Sequence, residues 1–167
     1  MRVLAIDPSL RGTGFAVLEQ VGQKIQPITY GVIKNPDKLL SSSCLVAIRD
    51  RLAEAIHAHQ PDCAAIESTI FVQSYRTAIA LGTARGAAML AAAERGLPIY
   101  EYAPRRAKQA VVGRGAATKN QVAFMVRAML GLTENPPADA ADAMAIGITH
   151  FQSLTTAASG AKVLVRI

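Results

Sequence analysis

A mixed α/β sheet of five strands, covered by helices on both faces, is the fold the sequence predicts. Three observations predict it. The chain opens on a nearly continuous apolar run ending in Asp7-Pro8, the pattern of a strand buried on both faces. Two more strand-like segments follow across short turns, as in an antiparallel meander. Beyond residue 40, helical and strand-like segments alternate, an order that builds a mixed sheet with helices on each side.

The elements follow in order. Asp7-Pro8-Ser9-Leu10-Arg11-Gly12-Thr13-Gly14 has turn chemistry, proline stopping the strand and glycines allowing tight backbone turns. A second strand is expected over residues 15–19, a turn at Val21-Gly22-Gln23-Lys24, and a third strand over 25–33. Ser41-Ser42-Ser43 offer N-caps to a helix in which Leu45, Ile48, Leu52 and Ile56 recur at helical spacing, ending near Gln60-Pro61. Cys63-Ala64-Ala65-Ile66-Glu67 is a short apolar strand terminating in an acid. Residues 78–94 are Ala-rich and helical, closed by Gly96, and 98–102 form a strand. Residues 104–112 are expected as a short helix. Thr118-Lys119-Asn120-Gln121 has the capping-box form and opens a helix through Leu130. Pro136-Pro137 introduces a last helix over 138–151. From Ser153 the pattern weakens, and Val163-Leu164-Val165 is either a further strand or tail. The expectation is one domain over residues 1–155 and a poorly ordered tail over 156–167.

The totals narrow the function classes. A chain of 167 residues suits one domain with a core that needs no staples. No apolar run approaches the roughly 20 residues that span a bilayer, and an acid comes too early for a signal peptide, so a cytoplasmic protein is expected. Cys44 and Cys63 are expected as reduced, buried small residues. The net charge of +6 points to a polyanionic partner. Between Tyr100 and Leu130, Arg105, Arg106, Lys108, Arg114, Lys119 and Arg127 stand against one acid, Glu101, so this stretch alone carries +5. His57, His59 and His150 show no metal-ligand pattern and are assigned to structure.

Four acids stand out. Asp7 and Glu67 each end a buried strand, and neighbouring parallel strands place both at one edge of the sheet, where open α/β sheets carry their sites. Asp139 and Asp142 are three apart on a helix and share a face. Singly, each has a bland explanation: Asp7 as a turn residue, Asp139 and Asp142 as complements to a helix dipole. Glu67 after Ala-Ala-Ile is costly unless paired or exposed. If the helix of Asp139 and Asp142 docks at the same edge, the four converge in a carboxylate cluster that cations must neutralise, and oxygen ligands without His or Cys suit Mg²⁺, with Mn²⁺ as a substitute. Two such ions make a phosphodiester clamp.

At these residues the chain resembles the RuvC family of Holliday-junction resolvases, which have the ribonuclease-H-like fold. The matching pieces are Ile6-Asp7-Pro8 with Thr13-Gly14, Ala65-Ile66-Glu67, Leu81-Gly82 with Ala84-Arg85-Gly86, and Tyr102-Ala103 running to Lys108. Val111-Val112-Gly113-Arg114-Gly115 with Lys119 and Gln121-Val122 also matches, as does Pro137-Ala138-Asp139-Ala140-Ala141-Asp142-Ala143 with Ala145-Ile146. The pieces run in order over nearly the whole chain. The resemblance implies that Asp7, Glu67, Asp139 and Asp142 are catalytic and bind Mg²⁺. It implies a homodimer that nicks four-way junction DNA symmetrically during recombination and repair, leaving ligatable 5′-phosphate and 3′-hydroxyl ends. It also implies the RuvA–RuvB branch-migration complex as partner, and Lys108 and Lys119 as residues facing DNA. Gly113-Arg114-Gly115 is either a loop whose backbone approaches a phosphate, with Arg114 on the DNA, or a plain turn. One segment departs from the family: Ser68-Thr69-Ile70-Phe71-Val72-Gln73-Ser74-Tyr75-Arg76-Thr77 has Ile70 where the family carries an aromatic that enters the junction centre. Phe71 or Tyr75 is expected to supply that contact, with Arg76 beside them, since bases stack on exposed aromatics.

Overall fold

The computed structural model describes residues 1–69, 74–158 and 165–167. Its strands are β1 (Arg2–Asp7), β2 (Gly12–Val21), β3 (Lys24–Lys34), β4 (Cys63–Glu67) and β5 (Ile99–Tyr102). Its helices are α1 (Ser41–His59), α2 (Tyr75–Ala93), α3 (Pro104–Val112), α4 (Lys119–Leu130) and α5 (Ala138–Ala158). The strands form one mixed sheet in the order β3-β2-β1-β4-β5. β1, β2 and β3 are the expected antiparallel meander, and β4 and β5 add in parallel.

Side-chain alternation along β1 explains the two helical layers. Val3 and Ala5 face one way and pack with Ala65, Val122, Met144 and Phe151 under α3, α4 and α5. Leu4 and Ile6 face the other way and pack with Ile48, Leu52, Ala84 and Ala88 of α1 and α2. α5 lies very close to the sheet, because a Cβ at Gly147 would fall 2.7 Å from Leu18 Cδ1 and 3.1 Å from Ala5 Cβ. Among the described residues no helix is long and apolar enough to cross a membrane.

Several boundaries differ from the sequence expectation, each for a physical reason. β2 starts at Gly12, not Phe15, and Gly12 and Gly14 are strand residues paired with Lys34 and Asp7. Neither has a positive φ. They are small because α5 passes over them. α1 takes no side-chain cap from its serines; its N-cap is Leu40. α2 starts at Tyr75, three residues early, because the Ser74 hydroxyl accepts from the Thr77 backbone N–H and caps it. α5 runs on past Phe151 to Ala158. Its hydroxyl residues look loop-like but bond back one turn: Thr149 to the Ala145 carbonyl, Ser153 to Thr149 and Thr156 to Gln152. At the chain end Arg166 bridges Tyr100 on the edge of β5, while Val163 and Leu164 lie outside the described residues. The capping box of α4 forms as expected, between Thr118 and Gln121.

His150 serves structure, as the sequence suggested. It is fully buried, with Nδ1 2.8 Å from the Tyr102 hydroxyl and Nε2 3.3 Å from Cys63 Sγ. Both cysteines are free and buried, and burial pushes the Cys63 thiol up to about 12. Burial also lowers His150 to about 4, so the ring is neutral in the fold. The unfolded chain therefore binds more protons below pH ~6.5, and the stability held above that pH is lost as pH falls toward 4. Comparing wild type with His150→Gln cancels every other titrating group. The stability difference should shrink by roughly 2–3 kcal/mol between pH 7.5 and 4.5 in urea unfolding. A pH-independent difference would rule this account out.

Candidate active site

The ends of two parallel strands set the site. β1 and β4 run in step, with Ile6 opposite Ile66, so Asp7 and Glu67 emerge side by side at the same edge. The first turn of α5 brings Asp139 to this edge, and Asp142 follows one turn later. This approach needs Gly14, the partner of Asp7 across the β1–β2 ladder. A Cβ there would overlap the Asp139 carbonyl, lying 2.5 Å from its carbon and 3.2 Å from Ala140 N. At Gly12 a Cβ would lie 3.1 Å from Asp139 Oδ2.

The four acids meet. One carboxylate oxygen each from Asp7, Asp139 and Asp142 lie within 4.8 Å of one another. Glu67 joins them through a hydrogen bond with Asp7. Burial pushes the Asp7 carboxyl up to about 8, and the charges of Glu67 and Asp142 add to it. The shared hydrogen bond raises Asp7 and lowers Glu67, so Asp7 holds the proton between them. Burial likewise raises Glu67 and Asp142, against opposing pulls from Lys108 and Lys119. Lys119 Nζ sits 3.0 Å from Asp139 Oδ1 and 3.3 Å from Asp142 Oδ2. Burial pulls its ammonium down, but these two carboxylates more than offset that and hold it above its usual value. Carboxylates pushed toward protonation that also recruit a lysine are short of positive charge. An all-oxygen donor set of this kind fits a hard divalent cation.

The other expected contact residues spread around this cluster. Lys108, half-buried on α3, is close enough for its charge to act on Glu67 and Asp142. Arg114 is exposed in the turn between α3 and α4, after Gly113 at φ 80°. Tyr75, 83% exposed, and Arg76 lie in the first turn of α2 rather than in a loop. Phe71 lies outside the described residues.

One group at the site was named from sequence only as part of the resemblance and given no role there. Arg85 on α2 donates from Nε to the Glu67 carbonyl at 3.3 Å and pairs through Nη2 with Glu101 on β5. It ties the end of β4, and so the Glu67 backbone, to a neighbouring helix and strand. The signals were there: a cation inside the Ala-rich α2, and a lone acid in the basic segment.

A model of the family described as crossover junction endodeoxyribonuclease RuvC matches residues 3–150. The crossover junction endodeoxyribonuclease RuvC of Akkermansia muciniphila is 52% identical over 153 residues, 92% of each chain. That of Desulforamulus reducens is 43% identical over 157 residues, 93% of this chain and 96% of its own. Among solved structures, Thermus thermophilus RuvC in complex with a Holliday junction substrate superposes with a TM-score of 0.88. It is 34% identical, and the match covers 100% of this chain and 99% of that one.

Proposed function

The chain belongs to the RuvC family of crossover junction endodeoxyribonucleases, with the ribonuclease-H-like fold, and we propose that it resolves four-way junctions by two-metal-ion hydrolysis at Asp7, Glu67, Asp139 and Asp142. The observation that carries the mechanism is the cluster itself: buried carboxylates driven toward protonation and bridged by a lysine ammonium. Asp7 stands at its centre, touching Glu67 and within reach of Asp139 and Asp142, and would be the ligand shared by the group. The residues would hold two Mg²⁺ ions, with Mn²⁺ as a substitute. When bound, such ions activate the attacking water and stabilise the leaving oxygen.

The remaining steps belong to the protein. Glu67 is oriented through its carbonyl by Arg85. Lys119, now resting on Asp139 and Asp142, would be released to hold a DNA phosphate once those acids are neutralised, and Lys108 and Arg114 hold neighbouring phosphates. Tyr75 and Arg76, exposed at the start of α2, face the junction centre; Phe71, the other aromatic expected to make that contact, lies outside the described residues. A homodimer matches the two-fold symmetry of the junction and gives paired symmetric nicks with 5′-phosphate and 3′-hydroxyl ends. The outer face of α2 suits that dimer: Ile79 and Leu90 are exposed, and Gly82 and Gly86 leave open space above the backbone. The RuvA–RuvB complex is the expected partner, in the cytoplasm, in recombination and repair.

A cleavage panel of four-way junction, flap, RNA–DNA hybrid and linear duplex tests the reading. With Mg²⁺, paired symmetric nicks are expected in the junction alone, and equal cutting of linear duplex would refute junction selectivity. With Ca²⁺ the junction should bind uncut, because Ca²⁺ takes the oxygen ligands in looser geometry. Undiminished cutting in EDTA would end the metal mechanism.

A further inference from the structure

The cluster opens on one side toward α3 and α4, where Lys108 and Lys119 stand. On the other side it opens into a groove of about 410 Å³ that no step above uses. Asp139 forms one end of this groove, and Arg11, Gly12, Lys34, Asn35 and Asp37 line it. From this placement we propose that the groove carries the cut strand away from the acids, with Lys34 binding a phosphate that flanks the scissile one. The proposal rests on the nuclease reading and extends it to a second set of backbone contacts.

The groove is held open by its own bonds. Lys34 is the last residue of β3 and pairs with Gly12 on β2, so its place relative to the acids is set by the sheet ladder. Gly12 adds no side chain beside Asp139 Oδ2, which keeps the passage to the cluster clear. Asn35 is buried; its side chain donates to the Leu10 carbonyl at 2.9 Å and its backbone N–H to the Arg11 carbonyl at 3.0 Å. Arg11 donates from one terminal nitrogen to the Pro36 carbonyl at 2.7 Å and the Leu39 carbonyl at 3.0 Å. The loop after β3 is thus fixed to the turn after β1, and the floor of the groove is rigid.

The groove's charged lining is balanced, two cations against Asp37 and Asp139, so a phosphate in it would rest on one side chain. Arg11 contributes a cation committed to the wall, and Lys34 an exposed one at the rim. Asp37, also exposed at the rim, opposes them and leaves Lys34 as the phosphate ligand best placed along the sheet. A strand whose scissile phosphate sits on Asp7 and Asp139 has neighbouring phosphates on both sides. The lysines of α3 and α4 serve one side, and the groove, with Lys34 at its rim, is the concave path on the other. Backbone contacts of this kind set the register of a strand without reading its bases.

The test uses the full chain with Ca²⁺ and a four-way junction across a salt series. Lys34→Ala should weaken binding about tenfold and flatten the salt slope by about one, while Lys34→Arg should keep both. Lys24→Ala, at the far end of the same strand, should match wild type. Neutral methylphosphonate linkages, placed one at a time around the cut, should show one position that weakens wild type about tenfold and leaves Lys34→Ala unaffected. An unchanged salt slope in Lys34→Ala, or equal penalties in both proteins at every linkage, would overturn the proposal. Either result, with wild type still cutting junctions in Mg²⁺, leaves the nuclease reading standing; a wild type that cuts no junction would sink that reading instead.

Discussion

Asp7→Asn should abolish junction cutting, by about a thousandfold or more, and at the same time stabilise the metal-free protein. The loss follows from position. Asp7 touches Glu67 and shares a 4.8 Å cluster with Asp139 and Asp142, so a neutral amide there removes the ligand common to the whole site. Removing one preorganised electrostatic group costs roughly 10²–10³ in rate elsewhere, and on the two-metal mechanism proposed above Asp7 would serve both ions. The gain in stability follows from the same geometry. Burial and two acidic neighbours push Asp7 up to about 8. A carboxyl raised above its unfolded value binds more protons in the fold. It therefore destabilises the fold progressively as pH rises from about 4 toward 8. Asparagine escapes that cost. At pH 7.5 without metal, Asp7→Asn should gain a few kcal/mol, on the order of 2–4, and near pH 4 almost nothing. Thermal or urea unfolding across that range checks the sign. Added Mg²⁺ should then favour wild type, since only the complete cluster gains by binding. A variant that is inactive and less stable at every pH would mean that Asp7 serves the fold rather than the cation site.

Most of this architecture was legible because the apolar pattern has two clear periods. The β1 run, buried on both faces, and the acid after Ala64-Ala65-Ile66 located two strand ends, and parallel pairing puts their acids together whatever the loops do. The three-residue spacing of Asp139 and Asp142 needed only that α5 dock at the same edge. What sequence could not supply was contact at atomic range. Gly12 and Gly14 were taken for turn residues, because a glycine that makes room for a helix looks like one that bends a chain. Lys119 was expected on DNA, yet its ammonium rests on Asp139 and Asp142. Only folded proximity shows that it answers the acids' own repulsion. Arg85 and Glu101 stand 16 residues apart on different elements, and nothing local marks them as partners. The start of α2 slipped by three residues because the Ser74 cap precedes a polar turn with no apolar spacing to announce it.

Gly14→Ala should cut slowly while still binding junctions, and it separates placement of the acids from their chemistry. No charge changes. The added methyl would overlap the Asp139 carbonyl, with its carbon at 2.5 Å and Ala140 N at 3.2 Å. Backbone cannot rotate away as a side chain can, so the first turn of α5 must lift. α5 cannot lift as a whole, because Gly147 seats it on Leu18 and Ala5 further along. The displacement therefore concentrates at Asp139 and Asp142. A shift of about 1 Å in a positioned group can cost about 10²-fold in rate, and overpacking costs roughly 1–3 kcal/mol of stability. Junction affinity in Ca²⁺ should change far less, since Lys108, Arg114 and Lys34 lie on other elements. Raising Mg²⁺ should recover part of the rate if the acids have only drifted apart. Wild-type cutting at low Mg²⁺ would show instead that β2 yields and α5 does not, and that the close approach at Gly14 is not what holds Asp139 in the cluster.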